Sequence, residues 1–435
     1  MGHMLNRRHL LAGTVAAGAA TALAGCSPKQ GASDSELRIS WWGGSSNHRA
    51  TLEALRLFEE ANPGVRVKGE YTGFSGHLER LTTQLAGDTA PDVMQINWYW
   101  QTLFSRDGKG FFDLNGLRDI IDLSQFDART LQMGTTNGHL NALAVTNAAR
   151  LFYFNATTFD KAGVALPATW DELKATGPQM HKALGDAYYP IDGTFQDFAA
   201  LARSYVVQKT GKPLVDTATK SLNCSPEDMR EVAQLYTDLT QGHTWPAARV
   251  RASYGNVPQQ EMRPWINGEY AGTYQWNSAI DKYTDTLSPG QTVKLAPYPM
   301  RDGATDAGLL YRPAMLFVIN RNCKQPEAAA RLINFLLNDP VGVRAMGLMR
   351  GVPVSAIAQK TLKDDGLLDG LKLESEAQIA DLPKTVLESP YFEHPRVRDG
   401  FQDILEGLGY GRVSQKEAGE RLYTDINAIL HRVVR

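Results

Sequence analysis

Leu37-Arg38-Ile39-Ser40-Trp41-Trp42-Gly43-Gly44 alternates along a β-prone run and then breaks at paired glycines, which reads as a strand ending in a loop. A helical pattern follows, with Leu52, Leu55, Leu57 and Phe58 apolar, and stops at Asn62-Pro63-Gly64. Val65 to Tyr71 reads as a second strand, and His77 to Leu85 as a helix ended by Gly87. Pro91-Asp92-Val93-Met94-Gln95-Ile96-Asn97 reads as a third strand. Strands and helices alternating at this spacing predict an α/β protein with a parallel, helix-covered sheet. Such sheets gather their functional loops at the carboxyl ends of the strands.

Working outward, Ala142 to Asn155 reads as strand material interrupted by polar residues. Thr169-Trp170-Asp171-Glu172 is a capping box, and Ser225-Pro226-Glu227-Asp228 opens another helix with proline at its first position. A helix-rich block runs from about Phe195 to Asn267. Short strands are expected at Tyr270 to Trp276 and Leu295 to Pro297, and a buried one at Met315 to Asn320. Pro326 to Leu337 and Pro340 to Met349 read as helices, and a final helix opens at Ser414 with Glu417 three residues on.

A chain of 435 residues is too long for one ordinary core and implies two or three domains. The net charge of -2 offers no broad basic field, so nucleic acid is not an expected partner. The histidines show no metal-ligand spacing, and no cofactor or metal is expected. Beyond Cys26 only Cys224 and Cys323 remain, which excludes a disulfide scaffold; those two either pair or stand as separate thiols.

The first 26 residues read differently. Met1-Gly2-His3-Met4 looks like a cloning scar, followed by Arg7-Arg8 and an apolar stretch from Leu10 to Leu23, too short to span a bilayer. The paired arginines resemble a twin-arginine export signal. Leu23-Ala24-Gly25-Cys26 resembles a lipobox, in which Cys26 is lipidated and becomes the mature N-terminus. Residues 27–36 read as a polar tether.

In order and spacing the motifs of the mature chain resemble the extracellular sugar-binding proteins of ABC importers, the group that includes maltose-binding protein. The likeness rests on Ile39-Ser40-Trp41-Trp42-Gly43, Phe58 to Val67, Leu85 to Val93, Leu151 to Asn155, Phe159 to Gly163 and Pro167 to Leu173. It continues in Asn267 to Gly272 and Ala328 to Leu336. The resemblance implies a two-lobed periplasmic binding protein fold whose discontinuous lobes are joined by hinge segments. The expected division is 37–150 and 278–340 for one lobe, 151–277 and 341–435 for the other. It further implies a periplasmic, lipid-anchored monomer that binds carbohydrate by hinge closure, serves an ABC permease of the inner membrane, and is not an enzyme.

A sugar presents hydroxyls at its edge and C–H groups on its faces, so its site needs aromatic plates and planar polar groups. The first loop offers Trp42, Gly43, Ser45, His48 and Arg49; alternation sends Trp41 and Trp42 to opposite faces. The third strand ends in Asn97, Trp98, Tyr99 and Trp100, a cluster read as an exposed aromatic loop. The resemblance adds Tyr274, Trp276 and Asn277, then Arg312, and Arg350 in a late loop. Three arginines, Arg49, Arg312 and Arg350, pair naturally with carboxylates and point to an acidic sugar. Gln95 to Trp100, Phe104-Ser105 and Gly108 to Phe112 also resemble the oligogalacturonide-binding proteins of pectin catabolism.

Two other classes compete. An exported glycoside hydrolase or pectate lyase would need opposed carboxylates across the cleft, and the candidate loops carry arginines and aromatics instead. The same fold could hold another solute, but polyamines call for several acids and iron for clustered Tyr or His.

Overall fold

A computed structural model of the chain describes residues 35–255, 257–383 and 386–434. The leader, Cys26 and the tether up to residue 34 lie outside the described residues. Ser35 and Glu36, read as tether, already belong to the first strand. No described helix is long and apolar enough to cross a membrane.

The opening alternation folds as its pattern demands: β1 (Ser35–Trp42), α1 (Ser45–Ala61), β2 (Val65–Thr72), α2 (His77–Ala86) and β3 (Val93–Ile96). β1 pairs in parallel with β2 on one side and β3 on the other. Gly64 makes the α1–β2 turn at φ 93°, a conformation that favours glycine. Trp41 is fully buried and Trp42 half-buried, as alternation required.

The rest of the sheet departs from the parallel expectation. β4 (Leu143–Asn155), β5 (Gly272–Trp276), β6 (Val293–Leu295) and β7 (Tyr311–Ile319) complete it. The order is β6-β4-β7-β3-β1-β2, with β5 also pairing β4. β7 runs antiparallel to both β3 and β4, so the sheet is mixed. Alternating βα units specify parallel pairing only for strands they directly connect; β7 arrives from a distant part of the chain and is free of that constraint.

Register decides where the site forms. β3 ends at Ile96, opposite Leu316 of β7. Tyr311 and Arg312 lie earlier on that antiparallel strand, beyond the carboxyl end of β3. β4 pairs with β7 as far as Ala149, then continues past it to pair with β5 and β6. β4 and β7 are therefore shared between two bodies. One body holds a core of Leu37, Trp41, Phe58, Phe317 and Ile333, with Met94, Ile96, Trp98 and Trp100 in an adjoining cluster. The other holds Phe152, Phe154, Leu201, Tyr274, Leu405 and Ile426. The helices Pro340–Met346 and Ala356–Asp364 pack with α1 and Pro326–Asn338, on the first body's side.

The second body is pinned by an ion pair with no exposed side-chain surface. Arg203 Nε donates to Glu388 at 2.8 Å, and Glu388 also accepts the backbone N–H groups of Leu214 and Val215. The capping box read at Thr169 forms, Ser225 and Asp228 make another, and at Ser414 only the serine half forms, its side chain accepting the Glu417 N–H. A third opens α4 (Phe195–Thr210) through Thr194 and Asp197.

Candidate functional site

Because β1, β2 and β3 are parallel, their carboxyl ends open onto one edge. Tyr71 at the end of β2 is 43% exposed, and Phe74 in the following loop 56%. Phe74 lies edge-on to Trp42 at 5.6 Å between ring centroids, and Tyr71 lies 4.4 Å from His48. His48 Nδ1 accepts the indole N–H of Trp41 at 3.1 Å; burial, with Arg350, holds this histidine below its ordinary value. His77 sits beneath Trp42 and is pushed down to about 4 by burial and Arg80. Gly43 allows a close approach: a Cβ there would meet Asn47 Cβ at 2.7 Å. Ser45 opens α1, which no side chain caps. The first loop is thus the foot of an aromatic shelf whose exposed face is Tyr71 and Phe74, residues the sequence reading passed over. A Gly-Phe-Ser-Gly turn directly after a strand, Gly73 to Gly76, was the available signal.

The Asn97 to Trp100 segment differs from its reading as an exposed aromatic loop. It forms a tight turn, with Trp98 and Trp100 only 2% and 1% exposed, packed against Met94, Ile96 and Leu316. Burying an aromatic face there releases more free energy than exposing it, and the turn folds the rings inward. Asn97 remains half-buried, and its Oδ1 has no hydrogen-bond partner.

Beyond the carboxyl ends of β1 and β3, three strands bring Arg150, Trp276 and Arg312 onto one face. Arg150 of β4 is paired directly with Trp276 of β5. Arg312 of β7 is paired with Ala148, two residues from Arg150 and so on the same face. The Trp276 ring carries two guanidinium groups, Arg312 at 4.2 Å and Arg150 at 4.9 Å. Each is held by a carboxylate: Arg312 Nε donates to Glu393 at 2.8 Å, and Arg150 Nη1 donates to Asp197 at 2.6 Å. Arg150 Nε is buried without a hydrogen-bond partner.

On the other face of β7, Arg129 of α3 (Ala128–Met133) lies over the Tyr311 ring at 4.4 Å, with Nε and Nη2 buried and unpartnered. Tyr311 also accepts a hydrogen bond from Asn147. Asn277 bridges the strands: its Oδ1 accepts the N–H of Ala149, and its Nδ2 donates to Glu376 of α5 (Gly370–Asp381) at 3.0 Å. Burial pushes the Glu376 carboxyl up to about 7, with Asn277 opposing.

The three arginines read from the sequence are not brought together. Arg49 is exposed and, among the described residues, reaches Ser46 alone, at 3.4 Å. Arg350 is 6% exposed and turned inward, where it donates to Gln95 at 3.1 Å and Thr51 at 2.8 Å and ties the late loop to β3 and α1. Tyr274 is buried in the second core, hydrogen-bonded to Ser204 and Tyr298. In place of Arg49 and Arg350, the structure sets Arg150 beside Arg312 on the Trp276 ring, with Arg129 over Tyr311 on the opposite face of β7. Arg150, a cation within the otherwise apolar run Ala148-Ala149-Arg150-Leu151-Phe152, was the available signal for this position.

Two cavities border the second body. A groove of about 680 Å³ is lined from the first body by Trp98, Arg106 and Met133, and from the second by Asp216, Ser389 and Tyr391. A cavity of about 600 Å³ in the second body includes Asp197 and Gln275. Both are of a size that holds a small ligand. Cys224 and Cys323 are free, and burial pushes both up to about 12, so at neutral pH neither is a thiolate nucleophile.

Residues 45–343 match the family of bacterial extracellular solute-binding proteins. A periplasmic oligogalacturonide binding protein from Yersinia enterocolitica, solved with saturated digalacturonic acid, is 45% identical; the match covers 92% of this chain and 100% of that one, with a TM-score of 0.83. A periplasmic solute binding protein from Pectobacterium atrosepticum is 40% identical over 92% of this chain and 100% of that one, with a TM-score of 0.87. A de novo designed cysteine esterase is 43% identical over 93% of this chain and 100% of that one, with a TM-score of 0.88. Among curated relatives, a Brucella abortus protein named as a binding protein is 32% identical over 138 residues, 32% of this chain and 33% of that protein's length. The chain thus spans about a third of the length of the curated relatives it matches at that identity.

Proposed function

We propose, for a chain that belongs to the bacterial extracellular solute-binding protein family, that its cargo is a short galacturonate oligosaccharide captured for an ABC-type importer. The observation that carries this reading is the Arg150–Trp276–Arg312 array. One aromatic plate bears two guanidinium groups, beyond the carboxyl ends of the first body's parallel strands. An indole face suits the C–H face of a pyranose, and guanidinium groups suit a uronate carboxylate. The Yersinia protein bound to saturated digalacturonic acid supports the same cargo.

The two buried bodies serve as lobes and β4 and β7 as hinge segments. The aromatic shelf around Trp42, Gly43, Ser45, His48 and Asn97 forms one wall, and Trp276, Asn277 and Arg312 form the other. Contact with both walls stabilises the closed state, which a permease then engages. The protein acts as a monomeric receptor rather than a catalyst. The esterase activity of the designed relative is that protein's own, and the half-buried thiols here, pushed up to about 12, do not reproduce a reactive cysteine. The leader directs export, and lipid on Cys26 tethers the mature chain; Cys26→Ser should move it from the membrane fraction to the soluble periplasm.

A thermal-shift panel tests the cargo, because a ligand that binds only the folded state raises its melting temperature. Digalacturonate and trigalacturonate should raise the melting temperature where maltose and other neutral oligosaccharides do not. A shift with neutral sugars alone would overturn the proposed cargo.

A further inference from the structure

We infer that Arg350 is a specificity-determining residue for the uronate cargo that acts without touching it: its unneutralised charge, buried behind the first loop, favours an acidic sugar through its field. This rests on the galacturonate reading above and names a residue that selects for it.

The side chain is 6% exposed and tied to the loop from behind by two hydrogen-bonded relays. Arg350 Nε donates to Gln95 Oε1 at 3.1 Å, and Gln95 Nε2 reaches the Trp42 carbonyl at 3.5 Å. Arg350 Nη2 donates to Thr51 Oγ1 at 2.8 Å, and Thr51 Oγ1 donates to the Asn47 carbonyl at 2.7 Å. The remaining side-chain contact is the Met346 sulfur, 3.6 Å from Nη1. Every one of these partners is neutral. Among the described residues no carboxylate pairs with Arg350. Burial lowers it to about 10, so it stays cationic at neutral pH.

The array's own guanidinium groups are matched. Asp197 holds Arg150 and Glu393 holds Arg312, so each of those pairs carries no net charge. Arg350 has no such counterweight, and in a low-dielectric interior its field extends past its contacts. His48 on the aromatic shelf registers that field: burial holds the imidazole below its ordinary value, and Arg350 lowers it further. A carboxylate arriving at the shelf gains from the same charge; a neutral pyranose does not. Burying a cation without a counterion costs stability, and a neutral side chain could tie the loop through the same two hydrogen bonds at less cost. What the charge adds is its field.

Calorimetry with digalacturonate and its methyl ester on the full chain, beside an NMR titration of His48 in the unliganded protein, tests this. In Arg350→Met the acid should lose about fivefold more affinity than the ester, and His48 should titrate at a higher pH. Arg350→Lys keeps the charge and should keep both the preference and the His48 titration. Gln95→Glu leaves Arg350 in place and sets a carboxylate against it. It should reproduce both effects of Arg350→Met, and it keeps the test valid if that variant fails to fold. An equal loss for acid and ester would overturn the inference, by reducing Arg350 to a tie for the loop. An unchanged preference in the folded variants would overturn it as well. Absence of binding by the acid to wild type would instead overturn the galacturonate reading itself.

Discussion

The Arg312 guanidinium stacks on the Trp276 indole at 4.2 Å while its Nε is held by Glu393. A stacked, oriented fork of this kind is specific to arginine: lysine is a point charge and cannot reproduce it. Arg312→Gln is expected to cost on the order of 2–5 kcal/mol in uronate binding, as for removal of a desolvated charge partner. Arg312→Lys should recover little of that. On the proposed function Glu393 would compete with ligand for the same guanidinium, so Glu393→Gln should hold or raise affinity. Calorimetry on the three variants checks this, and a fall in affinity for Glu393→Gln would count against the competition.

The shelf residues separate binding from folding. Phe74 is 56% exposed, so Phe74→Ala should weaken ligand binding by roughly 1–2 kcal/mol, the worth of one stacking plate. Its melting temperature should hardly move. Trp98 is 2% exposed, so Trp98→Ala should destabilise the fold by about 3–5 kcal/mol. Parallel melting and binding curves for the two variants decide the matter; a reversed pattern would place the shelf elsewhere.

Glu376 gives stability a definite pH slope. Its carboxyl is raised from 4.5 to about 7, so the folded protein holds the proton more tightly than the unfolded chain. The sign follows: this contribution is fully present below about pH 4.5 and declines as pH rises through about 7, by at most on the order of 3 kcal/mol. Asp192, also raised to about 7 by burial, adds a loss of the same sign. Glu376→Gln removes the glutamate titration, so the change in denaturation midpoint from pH 5 to 8 should be less negative than in wild type. An unchanged slope would mean that Glu376 ionises freely.

Glu388 is the second body's electrostatic keystone. It satisfies Arg203 and two backbone N–H groups with no exposed side-chain surface. Glu388→Ala leaves a buried cation unpaired and should cost roughly 3–5 kcal/mol in urea denaturation. Retention of wild-type stability would mean that Arg203 finds water or another acid.

Much of the fold was legible because local signals agreed with global ones. The Leu37 to Trp42 alternation, the Asn62-Pro63-Gly64 stop and the boxes at Thr169 and Ser225 each specify their element by local chemistry. The mixed sheet was not legible, because β7 pairs with β3 across more than two hundred residues and no local pattern encodes that pairing. The site was half-legible for the same reason. Trp42, Trp276 and Arg312 sit at strand ends that the sequence reveals. The pairing of Arg150 with Trp276, and the position of Arg129 over Tyr311, depend on register between distant strands. Arg350 misled because a loop arginine looks alike in sequence whether it faces solvent or, as here, Gln95 and Thr51.

The most direct test of the central claim is calorimetry of galacturonate oligomers against the same oligomers with their carboxyls methyl-esterified. Esterification keeps the ring faces and hydroxyls and removes the charge that Arg150 and Arg312 would meet. Tight binding of the acid, with affinity for the ester reduced at least about a hundredfold, is the expected result, equivalent to roughly 2.7 kcal/mol. Equal binding of acid and ester would contradict the account, since the guanidinium pair on Trp276 would then take no part in recognition.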